Sequence, residues 1–159
     1  FILKTKEQLA GLASLVNSGT NFANKTIHMK NNIDLEFKQW TPIGNKDFAF
    51  DGTFDGDENT VSGLKINAAT SYSGLFGNVS GVVKNFKISG ATIFTEDYAE
   101  YIGIAAGFSN GSVSSVEVSG YLDVRECAYV GGVVGYTTAQ TSIASSSALY
   151  AASILPSLS

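Results

Sequence analysis

Hydrophobic residues follow two different periods along this 159-residue chain. Between about residues 5 and 17 they recur every three or four positions, which is typical of one apolar helix face. The residues of this stripe are Leu9, Leu12, Ala13 and Val16, with Leu15 widening it. Thr5 and Gln8 have the spacing of a capping box at the start, and Gly19 follows the end. We therefore predict a helix over about residues 5–17 that covers the end of a β-rich core.

After residue 22 the period changes, and a short pattern repeats. An apolar residue, two other residues, an apolar residue, one other residue and a last apolar residue occur at Val61–Ile66, Val83–Ile88, Val113–Val118 and, in faded form, Ile143–Ala148. The copies start 22, 30 and 30 residues apart. Tyrosines two positions before a glycine, at 72, 101 and 129, keep the same phase. Markers that stay in step over such periods indicate stacked structural units, here over about residues 25–150.

Each unit has the alternation of a strand, because Phe86 and Ile88 flank Lys87. Equivalent strands of successive units then pair in parallel. The predicted fold class is all-β, a right-handed parallel β-helix with an N-terminal capping helix, forming a single domain over residues 1–159. The shorter first spacing also predicts that later units gain a strand and loop, at Ala91–Glu100 and Tyr121–Ala128.

Composition narrows the function classes. The formal charge is −4, with 15% charged and 44% hydrophobic residues, which disfavours both disorder and nucleic-acid binding. No apolar run reaches the roughly 18 residues of a membrane span. The chain starts at Phe1 and contains one cysteine, Cys127. We expect a fragment of a larger exported protein, joined to neighbouring domains.

Several segments resemble the GLUG-motif repeat family of bacterial surface proteins. They are Gly74-Leu75-Phe76-Gly77, Trp40–Gly44, Phe50–Gly56, Val61–Leu64, Asn24–Ile27 and Asn32–Leu35. Later copies, Gly103–Gly107 and Gly131–Gly135, each gain a residue. The resemblance implies a parallel β-helix in an extracellular, cell-surface protein, where such repeats act as adhesive or spacer regions. Some family members are surface metalloproteases that cleave immunoglobulin A.

Catalytic motifs are weak. His28 is the only histidine, so a zinc site with several histidine ligands is impossible, and the sequence around His28 has no nucleophile elbow. Paired carboxylates at Asp51, Asp55 or Asp57 are the alternative, because such pairs hydrolyse glycosides.

The sequence predicts no cofactor, with calcium as the alternative. Asp55, Asp57 and Asn59 alternate like half of a calcium loop, but they also suit a simple turn around Gly56.

Contact residues are expected in the two acidic segments of the later units. They are Glu96, Asp97, Tyr98, Glu100, Asp123 and Glu126. Trp40 and the tyrosines before glycine are expected to pack as ladders or at corners. Residues 127–159 carry no charge, which predicts self-association at that end.

The function predicted from the sequence is a non-catalytic surface module, adhesin-like or a spacer, that binds a host or environmental glycan or protein. The alternatives are a carbohydrate-active enzyme and an accessory domain of a surface metalloprotease.

Overall fold

Each repeat of the sequence forms one turn of a β-solenoid with about five turns and one short N-terminal helix. The structure is a computed structural model that describes the backbone of residues 1–138, 142–144 and 147–155, and the side chains of residues 1–138. All strand pairs described are parallel, which confirms the predicted parallel β-helix. Within these residues no helix is both long and apolar enough to cross a membrane.

The elements in chain order are β1 (Ile2–Leu3), α1 (Lys6–Asn17), β2 (Thr26–Met29), β3 (Ile33–Asp34), β4 (Thr53–Ser62), β5 (Lys65–Ile66), β6 (Phe76–Val79), β7 (Val82–Phe94), β8 (Ile102–Gly103), β9 (Ala106–Ser109), β10 (Ser112–Arg125), β11 (Val130–Gly131), β12 (Val134–Thr137), β13 (Ser142–Ala144) and β14 (Ser147–Leu155). The largest sheet has the order β1-β2-β4-β7-β10, followed by β13 and β14 beside β10. β6, β9 and β12 form a second sheet, and β8 and β11 form a third.

The strand register confirms three of the four repeat copies and corrects the first. Val83 pairs with Val113, which pairs with Ile143. Val61, however, pairs with Ile88, whereas Val83 lies beside Phe54. The prediction that Val61 and Val83 are equivalent positions, 22 residues apart, is therefore wrong. The same apolar pattern occurs at two different places in one turn.

The predicted extra strand and loop are wrong for the same reason. Ile66 in β5 pairs with Ile93, and Ile93 pairs with Leu122. The segments at Ala91–Glu100 and Tyr121–Ala128 thus continue a strand that the preceding turn already has. A break in register between Asp55 and Asn59 hides this correspondence in the sequence.

The helix forms as predicted, with one exception on its surface. The Thr5 hydroxyl accepts a hydrogen bond from the Gln8 amide, and the Gln8 side chain accepts one from the Thr5 amide. Leu9, Leu12, Ala13 and Val16 are buried. Leu15 is instead 51% exposed, so it does not widen the stripe as predicted.

A ladder of phenylalanines fills the interior between turns. Phe50, Phe54, Phe76 and Phe86 are buried, and consecutive ring centroids lie 5.3–5.5 Å apart. Fully burying each ring stabilises the fold by about 1.5–3 kcal/mol. Trp40 packs at a corner as predicted, with its indole nitrogen donating to the Leu75 carbonyl at 3.1 Å.

Glycines stack at the corner that precedes the largest sheet. A Cβ atom on Gly81 would lie 2.0 Å from the carbonyl oxygen of Gly52, and one on Gly111 would lie 2.1 Å from that of Gly81. Any side chain here would force adjacent turns apart. This column therefore fixes how closely the turns approach each other.

Candidate functional site

Three tyrosines stack on the outside of consecutive turns. They are Tyr72, Tyr101 and Tyr129. The residues that follow them are aligned across the turns: Ser73 is bridged to Ile102, and Ile102 pairs with Val130. The rings of Tyr72 and Tyr101 have centroids 4.9 Å apart. Those of Tyr101 and Tyr129 are 5.4 Å apart and 4° from parallel.

A second aromatic column interlocks with the first. Phe108 in β9 lies beside Tyr136 in β12, and their rings are 5.7 Å apart and 9° from parallel. Tyr101 contacts both of these rings edge-on, at 5.3 and 5.4 Å. We call Tyr72, Tyr101, Phe108, Tyr129 and Tyr136 the aromatic cluster. Side chains of this size arranged over three turns make a large, partly exposed apolar surface.

The backbone holds two of these tyrosines in an unfavourable conformation. Tyr72 and Tyr101 have φ angles of 66° and 63°, in the left-handed region that bulky residues rarely occupy. The amide of Tyr72 donates to the Glu100 carbonyl at 2.9 Å, and that of Ser73 donates to the Tyr101 carbonyl at 3.1 Å. Each such residue costs on the order of 1–3 kcal/mol, which the surrounding contacts must offset.

The acidic residues predicted as contacts lie beside the aromatic cluster. A bridge between Ala99 and Cys127 places the loop after β7 against the loop after β10. We call the predicted set the acidic corner. Its members are Glu96, Asp97, Tyr98, Glu100, Asp123 and Glu126.

Exposure differs within the acidic corner. Tyr98 is 58% exposed, and Glu96, Asp97 and Glu126 are also exposed. Glu100 is half-buried. Asp123 is half-buried too, but it lies on the outward face of strand β10 beside Phe94, whereas the other members lie in the two loops.

Glu100 links the two sets. The Tyr98 hydroxyl donates to Glu100 Oε1 at 2.9 Å, and this bond raises the pKa of Tyr98. Burial first, and the negative charge of Glu100 second, raise the pKa of Tyr101. Burial also raises the pKa of the Cys127 thiol, so Cys127 is unsuited to act as a thiolate nucleophile.

The tyrosines before glycine stack as a ladder, which confirms the packing predicted for them, but the sequence did not predict that Phe108 and Tyr136 join them. These two residues are 28 positions apart, which is the same spacing as Tyr101 and Tyr129. That shared spacing indicates that Phe108 and Tyr136 belong to the same repeat as the tyrosines. Only the fold shows that the two columns meet on one face.

A second group of charged residues surrounds Asp57 on the largest sheet. Asp57 forms an ion pair with Lys30, and its other oxygen lies 3.1 Å from Nδ1 of His28. Hydrogen bonds from Lys30 and His28 lower the pKa of Asp57 to about 2. Asp55 accepts bonds from the Asp57 amide at 2.9 Å and from the Asn85 side chain at 3.2 Å.

The candidate metal ligands are only partly brought together. Donor atoms of His28, Asp55 and Asp57 lie within 4.8 Å of one another. Asn59 instead donates its side-chain amide to the Met29 carbonyl at 2.8 Å. A cation here would have to displace Lys30 from Asp57. The predicted turn around Gly56 is wrong, because these residues lie within strand β4 at its break in register, where Asp57 is ion-paired.

The same contacts bear on glycoside hydrolysis. Oxygens of Asp55 and Asp57 are close enough for a retaining pair, which needs about 5 Å between carboxyl groups. A general acid, however, needs a raised pKa, and the pKa of Asp57 is lowered. Asp51 is not part of this group, since it accepts a bond from the Ser80 hydroxyl at 3.1 Å.

Comparisons with known proteins support the fold alone. No family model matches the chain, so membership of the GLUG family is not shown, and no curated protein matches either. A solved structure that does match is a Bacteroides ovatus protein provisionally named an immunoglobulin A1 protease. The TM-score is 0.56 and the sequence identity is 15%; the match covers 97% of this chain and 67% of that chain. At this identity the likeness shows a shared architecture.

Proposed function

We propose that this chain is a non-catalytic, extracellular β-solenoid module that binds a partner through the aromatic cluster and the acidic corner. The observation that carries this proposal is the gathering of five rings on the outside of three consecutive turns. The role is that of an adhesin, or of an accessory domain that brings a surface protease to its target. The likeness to the Bacteroides ovatus protein supports the accessory role as an analogy of fold.

A solenoid does not need these rings for its own stability. Its interior is already filled by buried aliphatic and phenylalanine side chains. Tyr129 keeps 44% of its surface exposed, and Tyr72 and Tyr101 occupy a conformation that costs free energy. Backbone strain and an exposed aromatic ring in one cluster are both typical of binding surfaces.

The test is a binding screen against arrays of glycans and purified extracellular proteins. Tyr129→Ala removes an exposed ring of the aromatic cluster. Tyr121→Ala is the matched control, because Tyr121 is 41% exposed but lies on strand β10, where it contacts Phe94. We expect a ligand of the unmodified protein to bind about tenfold more weakly to the first variant, equivalent to about 1.4 kcal/mol, and unchanged to the second. Absence of any ligand would leave only a spacer role.

Hydrolysis of a carbohydrate is the second candidate, favoured only by the closeness of Asp55 and Asp57. Incubation with polysaccharides and measurement of released reducing ends tests it. We expect no release, because Lys30 and His28 already hold Asp57 as a carboxylate. Release that is abolished by Asp57→Asn would establish the enzyme instead.

A further inference from the structure

We infer that the partner of this surface is a basic protein segment, which presents lysine or arginine side chains to the acidic corner and the aromatic cluster. The inference rests on the proposed function and specifies its ligand. Three observations support it: the distribution of charge along the solenoid, the absence of cationic partners among the described side chains for the carboxylates of the acidic corner, and the orientation of the rings.

Negative charge is concentrated in the turns that carry the aromatic cluster. Residues 1–90 contain nine lysines and eight acidic residues, which nearly cancel. Residues 91–159 contain six acidic residues and one basic residue, Arg125. A surface of one sign attracts ligands of the other sign and repels its own.

The carboxylates at the acidic corner are not neutralised by the protein. Three acidic side chains outside the corner have cationic partners: Glu36 pairs with Lys6 and Lys38, Asp57 with Lys30, and Glu117 with Lys87. Within residues 1–138, no lysine, arginine or histidine lies within ion-pair distance of the four glutamates and aspartates of the two corner loops. These four are Glu96, Asp97, Glu100 and Glu126. Their charge is therefore available to a ligand.

Two pairs of rings stack with their planes parallel, which reduces the open aromatic face on which a sugar could lie. Tyr101 and Tyr129 are nearly parallel, as are Phe108 and Tyr136, so members of each pair turn faces toward each other. A sugar ring would need an open aromatic face on which to lie. Tyr129 is the one exposed ring of the cluster, with 44% of its surface accessible. Phenol oxygens accept hydrogen bonds from an ammonium or guanidinium group.

Glu100 is the point where charge and rings meet. Oε1 accepts the hydrogen bond from Tyr98, and the carboxylate also interacts with the Tyr101 hydroxyl. A carboxylate has about four acceptor sites, so Glu100 can still receive a donor from the ligand. Glu100 is also adjacent in sequence to Tyr101. A lysine bound at Glu100 would lay its aliphatic stem along the tyrosine edges, as long basic side chains do on apolar surfaces.

The test compares a short lysine-rich peptide, the same peptide with every lysine acetylated, and neutral oligosaccharides. Glu100→Gln removes the charge but keeps an acceptor for Tyr98. Glu117→Gln is the matched control, because it removes the same charge from the other side of strand β10, where Glu117 faces Lys87 at 3.4 Å.

We expect the lysine peptide to bind the unmodified protein and the acetylated peptide to bind at least about tenfold more weakly. Glu100→Gln and Tyr129→Ala should each weaken lysine-peptide binding by about five- to tenfold, while Glu117→Gln should change it less than twofold. Binding should also fall as salt rises from low ionic strength to about 0.3 M, because exposed charges are then screened.

Two results would overturn the inference. Equal weakening by Glu100→Gln and Glu117→Gln would show general attraction to an acidic protein. Binding of an oligosaccharide that is lost in Tyr129→Ala but unaffected by Glu100→Gln and by salt would refute the basic partner and leave the proposed function intact. If neither the peptides nor the oligosaccharides bind in a way that depends on Tyr129, both the inference and the proposed function fail.

Discussion

Replacing Gly81 with alanine tests whether close contact between turns holds the solenoid together. The added Cβ would lie 2.0 Å from the Gly52 carbonyl oxygen, where an ordinary contact begins at 3.4 Å. The two turns must therefore separate locally by more than an ångström. That carbonyl accepts a hydrogen bond from the Val82 amide at 2.9 Å, which such a separation would break.

The expected loss follows from these contacts. A broken backbone hydrogen bond costs about 1 kcal/mol, and overpacking against backbone adds about 1–3 kcal/mol. The free energy of unfolding should fall by about 3 kcal/mol in total. For a chain of this size that corresponds to a decrease of roughly 6–12 °C in the unfolding temperature.

Urea denaturation followed by the fluorescence of Trp40 measures this change, because Trp40 is the only tryptophan and is buried against the next turn, where it donates hydrogen bonds to the carbonyls of Lys65 and Leu75. Far-ultraviolet circular dichroism reports the strands independently. Gly11→Ala is the control, since a Cβ there contacts nothing within 4 Å and the position lies inside α1. It should stabilise the protein by up to about 1 kcal/mol. If Gly81→Ala costs less than about 1 kcal/mol, the turns can separate freely and the argument from close contact is refuted.

Three further outcomes are expected. Thr5→Ala should lower the free energy of unfolding by about 1 kcal/mol, measured by urea denaturation, because the capping box with Gln8 is lost; an unchanged midpoint would contradict this. The pKa of Asp57 is about 2 in the folded protein against 3.8 ordinarily, so its contribution to the free energy of unfolding is present above pH 4 and lost as pH falls toward 2. Asp57→Asn should lack this part of the loss of stability in acid. Parallel curves of unfolding free energy against pH for the two proteins would refute this prediction. Adding calcium, or removing it with a chelator, should leave the thermal unfolding midpoint unchanged, because Lys30 already occupies Asp57; a rise with calcium would show that Asp55 and Asp57 bind the ion.

The uncharged C-terminal region carries one further prediction from the sequence. Self-association was predicted from the uncharged residues 127–159, and the side chains from residue 139 onward lie outside the described part. Within the described backbone, β14 pairs with β10 from Ser147 to Leu155, so the repeat continues into this region. The effect of the uncharged side chains on association stays a prediction.

The helix and the parallel repeat could be derived from residue order because both depend on local spacing. The apolar stripe and the capping box of α1 are visible in the order of neighbouring residues. The 30-residue spacing between Val83 and Val113 is likewise visible as a repeat in the sequence. The first repeat is ambiguous in the sequence because the pattern of three apolar positions also fits Val61, whereas the residue that pairs with Val83 is Phe54, earlier in β4. Backbone pairing, which depends on the whole stack, resolved that ambiguity.

The binding surface depended on tertiary structure for a different reason. Tyr101 and Tyr136 are 35 positions apart, and nothing in their sequence neighbourhood shows that the turn folds back to bring their rings within 5.4 Å. His28 likewise joined Asp57 across a pair of strands that no local period specifies. Local spacing decides which face of an element is buried, whereas the path of each turn around the core decides which outward side chains of different strands become neighbours, and that path is set only when the core packs.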